Sequence, residues 1–292
     1  MEPEHKKPLN ALLCQLKPLL KQKQQNLQRA KTSLQLYKKE NHLDIIIFPE
    51  MSFTGYNFKD ADDALPMAVT AGEGEEFEFA SSEAQRLNSY VLFGYVEKEE
   101  KDSKTTLYNS AAVVNRMGEL ELNVRKTHLF FNDELWCSEG DGFKSLVLTN
   151  HKGDPFKCII GICMDINPKN FTSGEFELAD FAVKEGAEVV LFPTNWVDSQ
   201  AESVEDSAIE AMYNYWLHRL SPMLNKKNEP LKPPALFLAA DRVGTEYSYY
   251  DKKDTHFFGS SCGIMLNPPY LVGRLGKKDE GYLLVEAKLP KH

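Results

Sequence analysis

Short apolar runs alternate with amphipathic stretches along the whole chain. Residues 43–48 (Leu-Asp-Ile-Ile-Ile-Phe) form a compact run rich in β-branched side chains, which predicts a buried strand. In residues 26–40, Leu27, Ala30 and Leu34 recur at spacings of three and four, which predicts an amphipathic helix. The same criteria predict helices over 73–88, 175–185 and 206–220, and strands over 12–16, 90–96, 110–115, 120–124, 158–162, 188–192, 235–240, 260–265 and 282–286.

Turn signals separate these elements without dividing the chain into parts. Met117-Gly118-Glu119 predicts a hairpin turn, and 153–155 and 267–269 combine Gly, Asn, Asp and Pro in the manner of loops. The polar stretch 225–234 contains three prolines but is too short for a domain linker. Strands outnumber helices, and hairpins mix with β-α alternation. We therefore predict an α/β fold, with sheets layered with helices in one domain over 1–292.

Charge and hydropathy exclude several classes of partner. The chain has 34 basic and 43 acidic residues, a net charge of −9, which disfavours a nucleic-acid backbone as partner. No apolar run approaches the roughly 18 residues that a bilayer requires, and the polar N-terminus lacks the apolar region of a signal peptide. We therefore expect neither nucleic acid nor membrane as a partner.

The five cysteines point to a reducing compartment. Their number is odd and no CxxC pair occurs, which argues against a disulfide framework and a zinc knuckle. We expect a cytoplasmic protein, which could also enter the nucleus, with no metal and no cofactor. In such a compartment a thiol can stay free and act as a nucleophile.

Three predicted strands end in a reactive polar residue. Glu50 follows the run 43–48, where partial desolvation would raise its pKa toward that of a general base. Lys126 follows the hairpin strand and could stabilise an oxyanion. Cys163 follows the strand 158–162, where a strand-to-helix elbow would expose its sulfur and let nearby backbone N–H groups face an oxyanion. Taken singly, each has a plainer interpretation: a solvated carboxylate, a surface lysine and a small buried apolar residue.

A papain-type Cys–His pair is the competing chemistry. His128, His151, His218 and His256 are all available as partners of a nucleophilic cysteine. None of them lies in a local signature, and such pairs are in any case not close in sequence. This alternative stays open at the level of sequence.

Taken in order, the three motifs resemble the nitrilase, or carbon–nitrogen hydrolase, superfamily. They are Phe48-Pro49-Glu50, Arg125-Lys126-Thr127-His128-Leu129 and Gly161-Ile162-Cys163-Met164-Asp165. Residues 191–196, 236–244 and 258–261 resemble further family blocks, with Asp241 where the family usually has Asn. The resemblance implies a four-layer α-β-β-α sandwich. It also implies a Glu–Lys–Cys triad, with Glu50 as general base, Lys126 as oxyanion stabiliser and Cys163 as nucleophile.

The resemblance adds a second carboxylate and an oxyanion donor. The family's second glutamate falls a few residues after the lysine, which matches Glu134 best and Glu139 as the second choice. This carboxylate would orient the lysine and the substrate nitrogen, although Asp133 and Glu134 could equally form an ordinary acidic turn. The backbone N–H of Met164 would join Lys126 in holding the oxyanion.

Residues 49–58 and 161–168 resemble one branch of the superfamily, which deamidates N-terminal Asn and Gln of proteins and so feeds an N-degron pathway. A substrate α-ammonium would favour a carboxylate in the pocket, for which Asp165, Asp198 and Asp206 are candidates in that order. Trp196 is the expected aromatic wall, with core packing as its plainer interpretation. Tyr56 and Met164 complete the expected substrate-binding set.

Other functions remain possible on the same residues. A small-molecule amidase acting on an ω-amide or an N-carbamoyl substrate is the main alternative, and it would need an arginine such as Arg219 or Arg242 in its pocket. A catalytically silent binding protein and a true nitrilase are weaker alternatives. The family's tendency to pair through its helices makes a homodimer possible.

Overall fold

The computed structural model describes residues 6–171, 174–199, 204–227 and 231–291. Two six-stranded sheets form its framework. The first consists of β1 (Lys6–Gln15), β2 (Ile45–Ile47), β3 (Tyr90–Lys101), β4 (Lys104–Val114), β5 (Leu120–Arg125) and, next to β1, β14 (Gly281–Pro290). The second consists of β6 (Lys144–Thr149), β7 (Pro155–Ile160), β8 (Val189–Pro193), β9 (Ala235–Ala240), β12 (Cys262–Leu266) and β13 (Tyr270–Arg274). A separate hairpin joins β10 (Val243–Ser248) and β11 (Lys253–Phe258).

Each sheet has a parallel centre flanked by antiparallel strands. β2 pairs in parallel with β1 and β3, and β8 pairs in parallel with β7 and β9. Side chains of both faces of these central strands are buried, which explains why β2 and β8 are continuous apolar runs. Because parallel strands of one sheet end at the same edge, residues that follow them can meet there.

Helices cover the outer face of each sheet. They are α1 (Lys23–Leu34), α3 (Glu75–Leu87), α4 (Glu177–Glu185) and α5 (Glu205–Arg219), while the short α2 (Ala61–Ala64) lies in the connection between β2 and β3. Apolar residues of α1 and α3 pack on the first sheet, those of α4 and α5 pack on the second, and a third apolar cluster fills the space between the sheets. The predicted four-layer α-β-β-α sandwich is confirmed. None of the described helices combines the length and the apolar character that a bilayer-spanning segment requires.

The structure differs from the sequence prediction where strands are polar or exposed. β6, β10, β11 and β13 were not predicted, because they are only partly buried and none contains an apolar run longer than three residues. The helix predicted over 26–40 ends at Leu34 and is followed by a turn. The hairpin turn at Met117-Gly118-Glu119 is present, with Gly118 at φ 85°, a conformation that favours glycine. In the described part of the loop 225–234, no helix or strand forms.

Candidate active site

Glu50 lies just beyond the end of β2 and is completely buried. The neighbouring strand β3 passes so close to it that a Cβ added to Gly94 would lie 2.6 Å from the Cα of Glu50. Only glycine at position 94 permits this approach. Ser52 ties the same turn together, because its Oγ donates to the Pro49 carbonyl at 2.5 Å and accepts from the Gly94 N–H at 3.1 Å. The close approach of β3 and the hydrogen bonds of Ser52 together fix the backbone at Glu50.

Lys126, the first residue after β5, binds two buried carboxylates. Its Nζ lies 2.7 Å from Glu50 Oε1 and 2.5 Å from Asp133 Oδ2. Both carboxylates and the ammonium are fully shielded from solvent. The Phe130 N–H also donates to Asp133 Oδ2, at 2.9 Å. Two carboxylates and one ammonium thus share a site closed to solvent, and the cluster carries one net negative charge when all three groups are ionised.

Asn109, in β4, bridges the two carboxylates. Its Nδ2 donates to Glu50 Oε1 at 2.7 Å and to Asp133 Oδ1 at 3.0 Å. Both hydrogens of this amide are therefore used on carboxylates, and the side chain is completely buried. These two hydrogen bonds offset part of the repulsion between the acids.

The burial and the excess of acids shift the pKa values of this cluster. Burial raises the pKa of Glu50 above its ordinary value, the Asp133 charge raises it too, and Lys126 and Asn109 only partly oppose this. Burial by itself would lower the pKa of the Lys126 ammonium, but the charges of Asp133 and Glu50 outweigh it and raise that pKa well above its usual range. A fixed cation next to a carboxylate of raised proton affinity is suited to general base chemistry.

Cys163 lies at a sharp turn after β7. It begins a short 3₁₀ helix, Cys163–Ile166, and has a φ of 47°, which is unusual for a residue with a side chain. A Cβ at the preceding Gly161 would lie 2.5 Å from a Leu178 methyl group, so that a larger residue there would require Leu178 to shift. The predicted elbow is present, with a 3₁₀ turn in place of a long helix. Cys163 lines a cavity of about 330 Å³ and is 8% exposed.

The turn after β8 connects the base to the nucleophile. The backbone N–H of Asn195 donates to Glu50 Oε2 at 2.9 Å and also interacts with the Cys163 sulfur. Burial raises the pKa of the Cys163 thiol well above its usual range, and the Glu50 charge raises it further, while Lys126 lowers it. The resting thiol is therefore protonated, so that it needs a base at the moment of reaction.

Two of the predicted site residues have a different role or position. Glu134, expected beside Lys126, is exposed, and Asp133 takes that place. The 3₁₀ turn Asp133–Leu135 points these neighbours in different directions, so that only the first faces inward. Glu139, the second choice, pairs with Lys169 at 2.7 Å instead.

Asp165 is a structural residue, contrary to its predicted contact with a substrate amine. Its Oδ1 accepts from the backbone N–H groups of Thr127 and His128 at 2.9 and 2.8 Å, and its Oδ2 from that of Ile162 at 2.9 Å. Burial raises the pKa of Asp165 to about 6, although the hydrogen bonds from Ile162 and His128 and the Lys126 charge oppose this. This carboxylate joins the lysine loop to the cysteine loop.

The other two carboxylates proposed for the substrate amine are paired elsewhere. Asp198 binds Lys277 at 2.8 Å and lines a neighbouring cavity of about 280 Å³. The Asp206 side chain is 84% exposed and pairs with Arg274 at 2.8 Å. We therefore discard both as partners for a group bound next to Cys163.

Of the remaining predicted substrate-binding residues, two line the cavity and one lies behind it. Trp196 and Met164 both line the cavity that contains Cys163. The Met164 N–H belongs to the first turn of its 3₁₀ helix, where backbone donors lack helical partners. Tyr56 is buried, with its ring centroid 5.8 Å from Lys126 Nζ, so that it packs behind the lysine.

The histidines that a papain-type mechanism would use are engaged elsewhere. His128 binds the Asn167 carbonyl through Nδ1 at 2.8 Å and Glu177 through Nε2 at 3.2 Å. His151 pairs with Asp44, His256 contacts Thr245, and His218 packs on Phe176. These contacts favour Glu50 over histidine as the base for Cys163.

Sequence reasoning missed several residues of this site. Asn109 gave one signal only, a polar residue inside an otherwise apolar stretch of β4. Gly94 is likewise a lone glycine within a strand, a pattern that indicates close backbone approach. The other lining residues come from several segments of the chain, and none of them was assigned a role from the sequence: Phe130, Asn167, Phe171, Asn195, Val197, Ser199 and Tyr215.

Comparison with known proteins identifies the class to which this fold and site belong. The carbon–nitrogen hydrolase family matches residues 11–289. The chain therefore belongs to the carbon–nitrogen hydrolase family, whose members cleave carbon–nitrogen bonds.

Two curated relatives share a more specific name. The protein N-terminal amidase of Saccharomyces cerevisiae is 34% identical over 253 residues, which cover 80% of this chain and 53% of the yeast protein. The protein N-terminal amidase of Schizosaccharomyces pombe is 32% identical over 241 residues, which cover 76% of this chain and 79% of that protein. The chain thus spans about half the length of the first relative and most of the second.

Solved structures support the fold. A crystal structure of N-terminal amidase with an Asn-Glu-Ala peptide has a TM-score of 0.82 at 24% identity, over 97% of this chain and 98% of that chain. A crystal structure of N-terminal amidase with a Gln-Val peptide has a TM-score of 0.81 at 24% identity, with the same coverage of both chains. At this level of identity, the similarity establishes the α-β-β-α architecture.

Proposed function

We propose that this chain is an amidohydrolase that converts N-terminal Asn and Gln of proteins or peptides to Asp and Glu, with release of ammonia. The observation that carries the proposal is the position of Cys163. Its thiol lines a cavity, and its pKa responds to the charges of Glu50 and Lys126. The similarity to the two yeast N-terminal amidases supports the choice of substrate.

In the first half of the proposed reaction, Glu50 accepts the proton of the Cys163 thiol while the sulfur attacks the carboxamide carbon. The S–C bond forms and the carbonyl electron pair moves to the oxygen, which Lys126 and the Met164 N–H stabilise. When the oxyanion collapses, the C–N bond breaks. Protonated Glu50 gives its proton to the leaving nitrogen, so that ammonia departs and a thioester remains.

In the second half, water replaces ammonia. Glu50 takes a proton from the water, whose oxygen attacks the thioester carbon. The C–S bond then breaks, and Glu50 returns the proton to the sulfur. The raised pKa of Glu50 suits this role, because the same carboxyl must accept and release protons in both halves.

A peptide panel tests the proposal. Peptides that begin with Asn, Gln and N-acetyl-Asn are incubated with the protein, and ammonia release and conversion to Asp or Glu are measured. We expect turnover of the free N-termini and none with Cys163→Ala. Equal turnover of the acetylated peptide would rule out recognition of the terminus.

The structure gives less support to a small-molecule amidase. That alternative needs an arginine for the carboxylate of a free amino or ureido acid. Arg219 donates from Nε to the Ile166 carbonyl at 2.9 Å, and Arg242 pairs with Glu246 at 2.6 Å. Free glutamine and N-carbamoyl-β-alanine belong in the same panel, and turnover of either at the rate of the peptides would favour this alternative.

The proposed product has a further consequence in the cell. An N-terminal Asp or Glu is a substrate for arginylation in an N-degron pathway, so that we place this activity in the cytoplasm or nucleus. A reporter protein that begins with Asn should then be shorter-lived with the wild-type chain than with Cys163→Ala. Equal lifetimes would contradict the role in an N-degron pathway and would leave the proposed deamidation reaction unaffected.

A further inference from the structure

We propose that the cavity beside Cys163 binds the substrate's α-ammonium by cation–π contacts, mainly with the rings of Trp196 and Tyr215. This inference rests on the proposed function, because it states how the same site would recognise a peptide N-terminus. It replaces the ion pair that the sequence suggested, since Asp165, Asp198 and Asp206 are all engaged elsewhere.

Aromatic side chains from separate segments converge on the cavity. Phe130 comes from the loop after Lys126, Phe171 from the segment after Cys163, Trp196 from the turn after β8 and Tyr215 from α5. The rings of Trp196 and Tyr215 have centroids 5.9 Å apart and planes inclined at 50°. They therefore form two walls of a corner and do not stack flat against each other.

The ring positions are held by their surroundings. Trp196 packs edge-to-face on the buried Trp216, with centroids 5.4 Å apart, and its backbone N–H donates to Asp241 at 3.0 Å. The Tyr215 hydroxyl donates to Asn167 Oδ1. The walls are thus organised before a ligand arrives, which reduces the entropy lost on binding.

The chemistry of the walls selects a cation. The face of an aromatic ring is electron-rich, and rings that surround a site attract ammonium groups, Trp most strongly. Among the lining residues that the structure describes, the polar ones are neutral: Asn167, Asn195, Ser199 and Tyr215, besides the Cys163 thiol. The adjacent cluster of Glu50, Lys126 and Asp133 adds a net negative charge when Glu50 is ionised, which also favours a cationic ligand.

The test compares two peptides that differ only in the charge. One begins with Asn, and the other begins with the same residue without its α-amine, so that the carboxamide is kept and the cation is lost. We measure kcat/KM for both with the wild-type protein and with variants. A double-mutant cycle then isolates the energy between ring and ammonium from effects on shape.

Removing a ring should weaken only the charged substrate. For Trp196→Leu or Tyr215→Leu we expect kcat/KM for the Asn peptide to fall about threefold to thirtyfold, and that for the uncharged peptide to change less than about twofold. Tyr215→Phe keeps the ring and should restore most of the preference for the charged peptide. Tyr270→Leu, at an exposed tyrosine on the edge strand β13, is the matched control and should behave like the wild type.

The outcomes separate this inference from the proposed function. If both peptides lose the same factor in Trp196→Leu and Tyr215→Leu, the rings supply shape alone and the inference is wrong, although the proposed function stands. A wild-type protein that hydrolyses neither peptide would contradict the proposed function itself. Because Tyr215 is 39% exposed on a surface helix, its variants keep the test valid even if Trp196→Leu fails to fold.

Discussion

Two buried ionic clusters in this molecule each pair a cation with carboxylates, but they differ in their balance of charge. At one, Arg242 pairs with Glu246 at 2.6 Å, one charge against one charge. At the other, Lys126 faces both Glu50 at 2.7 Å and Asp133 at 2.5 Å. The first cluster is electrically balanced, whereas the second has one acid too many.

The other contacts of the two glutamates, Glu246 and Glu50, also differ between the clusters. Glu246 Oε2 accepts the backbone N–H groups of Tyr56 and Asn57, both at 3.0 Å, so that both of its oxygens have fixed partners. At the cluster around Lys126, burial and the Asp133 charge raise the pKa of Glu50 above its ordinary value. A balanced cluster joins segments together, while an excess of carboxylate in a dry site increases the affinity of one of them for a proton.

The largest expected effect comes from removing the base. Glu50→Gln keeps the size of the side chain and loses its ability to accept a proton, so that kcat/KM for an Asn-terminal peptide should fall about 10³-fold or more. The thermal midpoint of the variant shows whether it is folded. A folded variant that loses less than about tenfold would contradict the role of Glu50 as base.

The same substitution at the balanced cluster should affect stability. Glu246→Gln leaves the Arg242 guanidinium buried without a counter-charge, and the free energy of unfolding should fall by about 3 kcal/mol. Urea denaturation measures this change, and kcat of the folded fraction should stay close to the wild-type value. An unchanged urea midpoint would show that the pair is dispensable.

Substitutions of the adjacent acids Asp133 and Glu134, in the loop after Lys126, should have very different effects on kcat/KM. Asp133→Asn removes a charge that holds the Lys126 ammonium, and we expect a loss of about 10²-fold in kcat/KM. Glu134→Gln alters an exposed side chain and serves as the matched control, with an expected change of less than about twofold. A larger loss in Glu134→Gln than in Asp133→Asn would show that Glu134, and not Asp133, acts on Lys126.

The smallest expected effect comes from removing the hydrogen bonds that Asn109 donates to Glu50 and Asp133. Asn109→Leu removes two hydrogen bonds to carboxylates, one of which lowers the pKa of Glu50. That pKa should rise, so that the acid limb of the profile of kcat/KM against pH moves to higher pH. We also expect about a tenfold loss at neutral pH. A uniform loss at every pH would indicate a structural role only.

Local patterns predicted the framework and the main reactive groups. The central strands are apolar on both faces because they are covered on both sides, and that pattern is visible without a structure. Glu50, Lys126 and Cys163 each follow a strand within three residues, although the strand before Lys126, β5, lies at the sheet edge and is partly exposed. The exposed strands β6, β10, β11 and β13 escaped prediction because only part of each faces the core.

The sequence by itself determined which reactive groups follow the strands, because a strand followed by a carboxylate, a lysine or a cysteine is written in consecutive residues. Only the tertiary structure decided which of two adjacent acids faces the lysine and that Asp165 joins two loops. It also decided that Phe130, Phe171 and Tyr215 line the cavity together with Trp196. Those outcomes depend on the direction of a side chain at one turn and on contacts between segments tens of residues apart, and neither quantity is encoded in local periodicity.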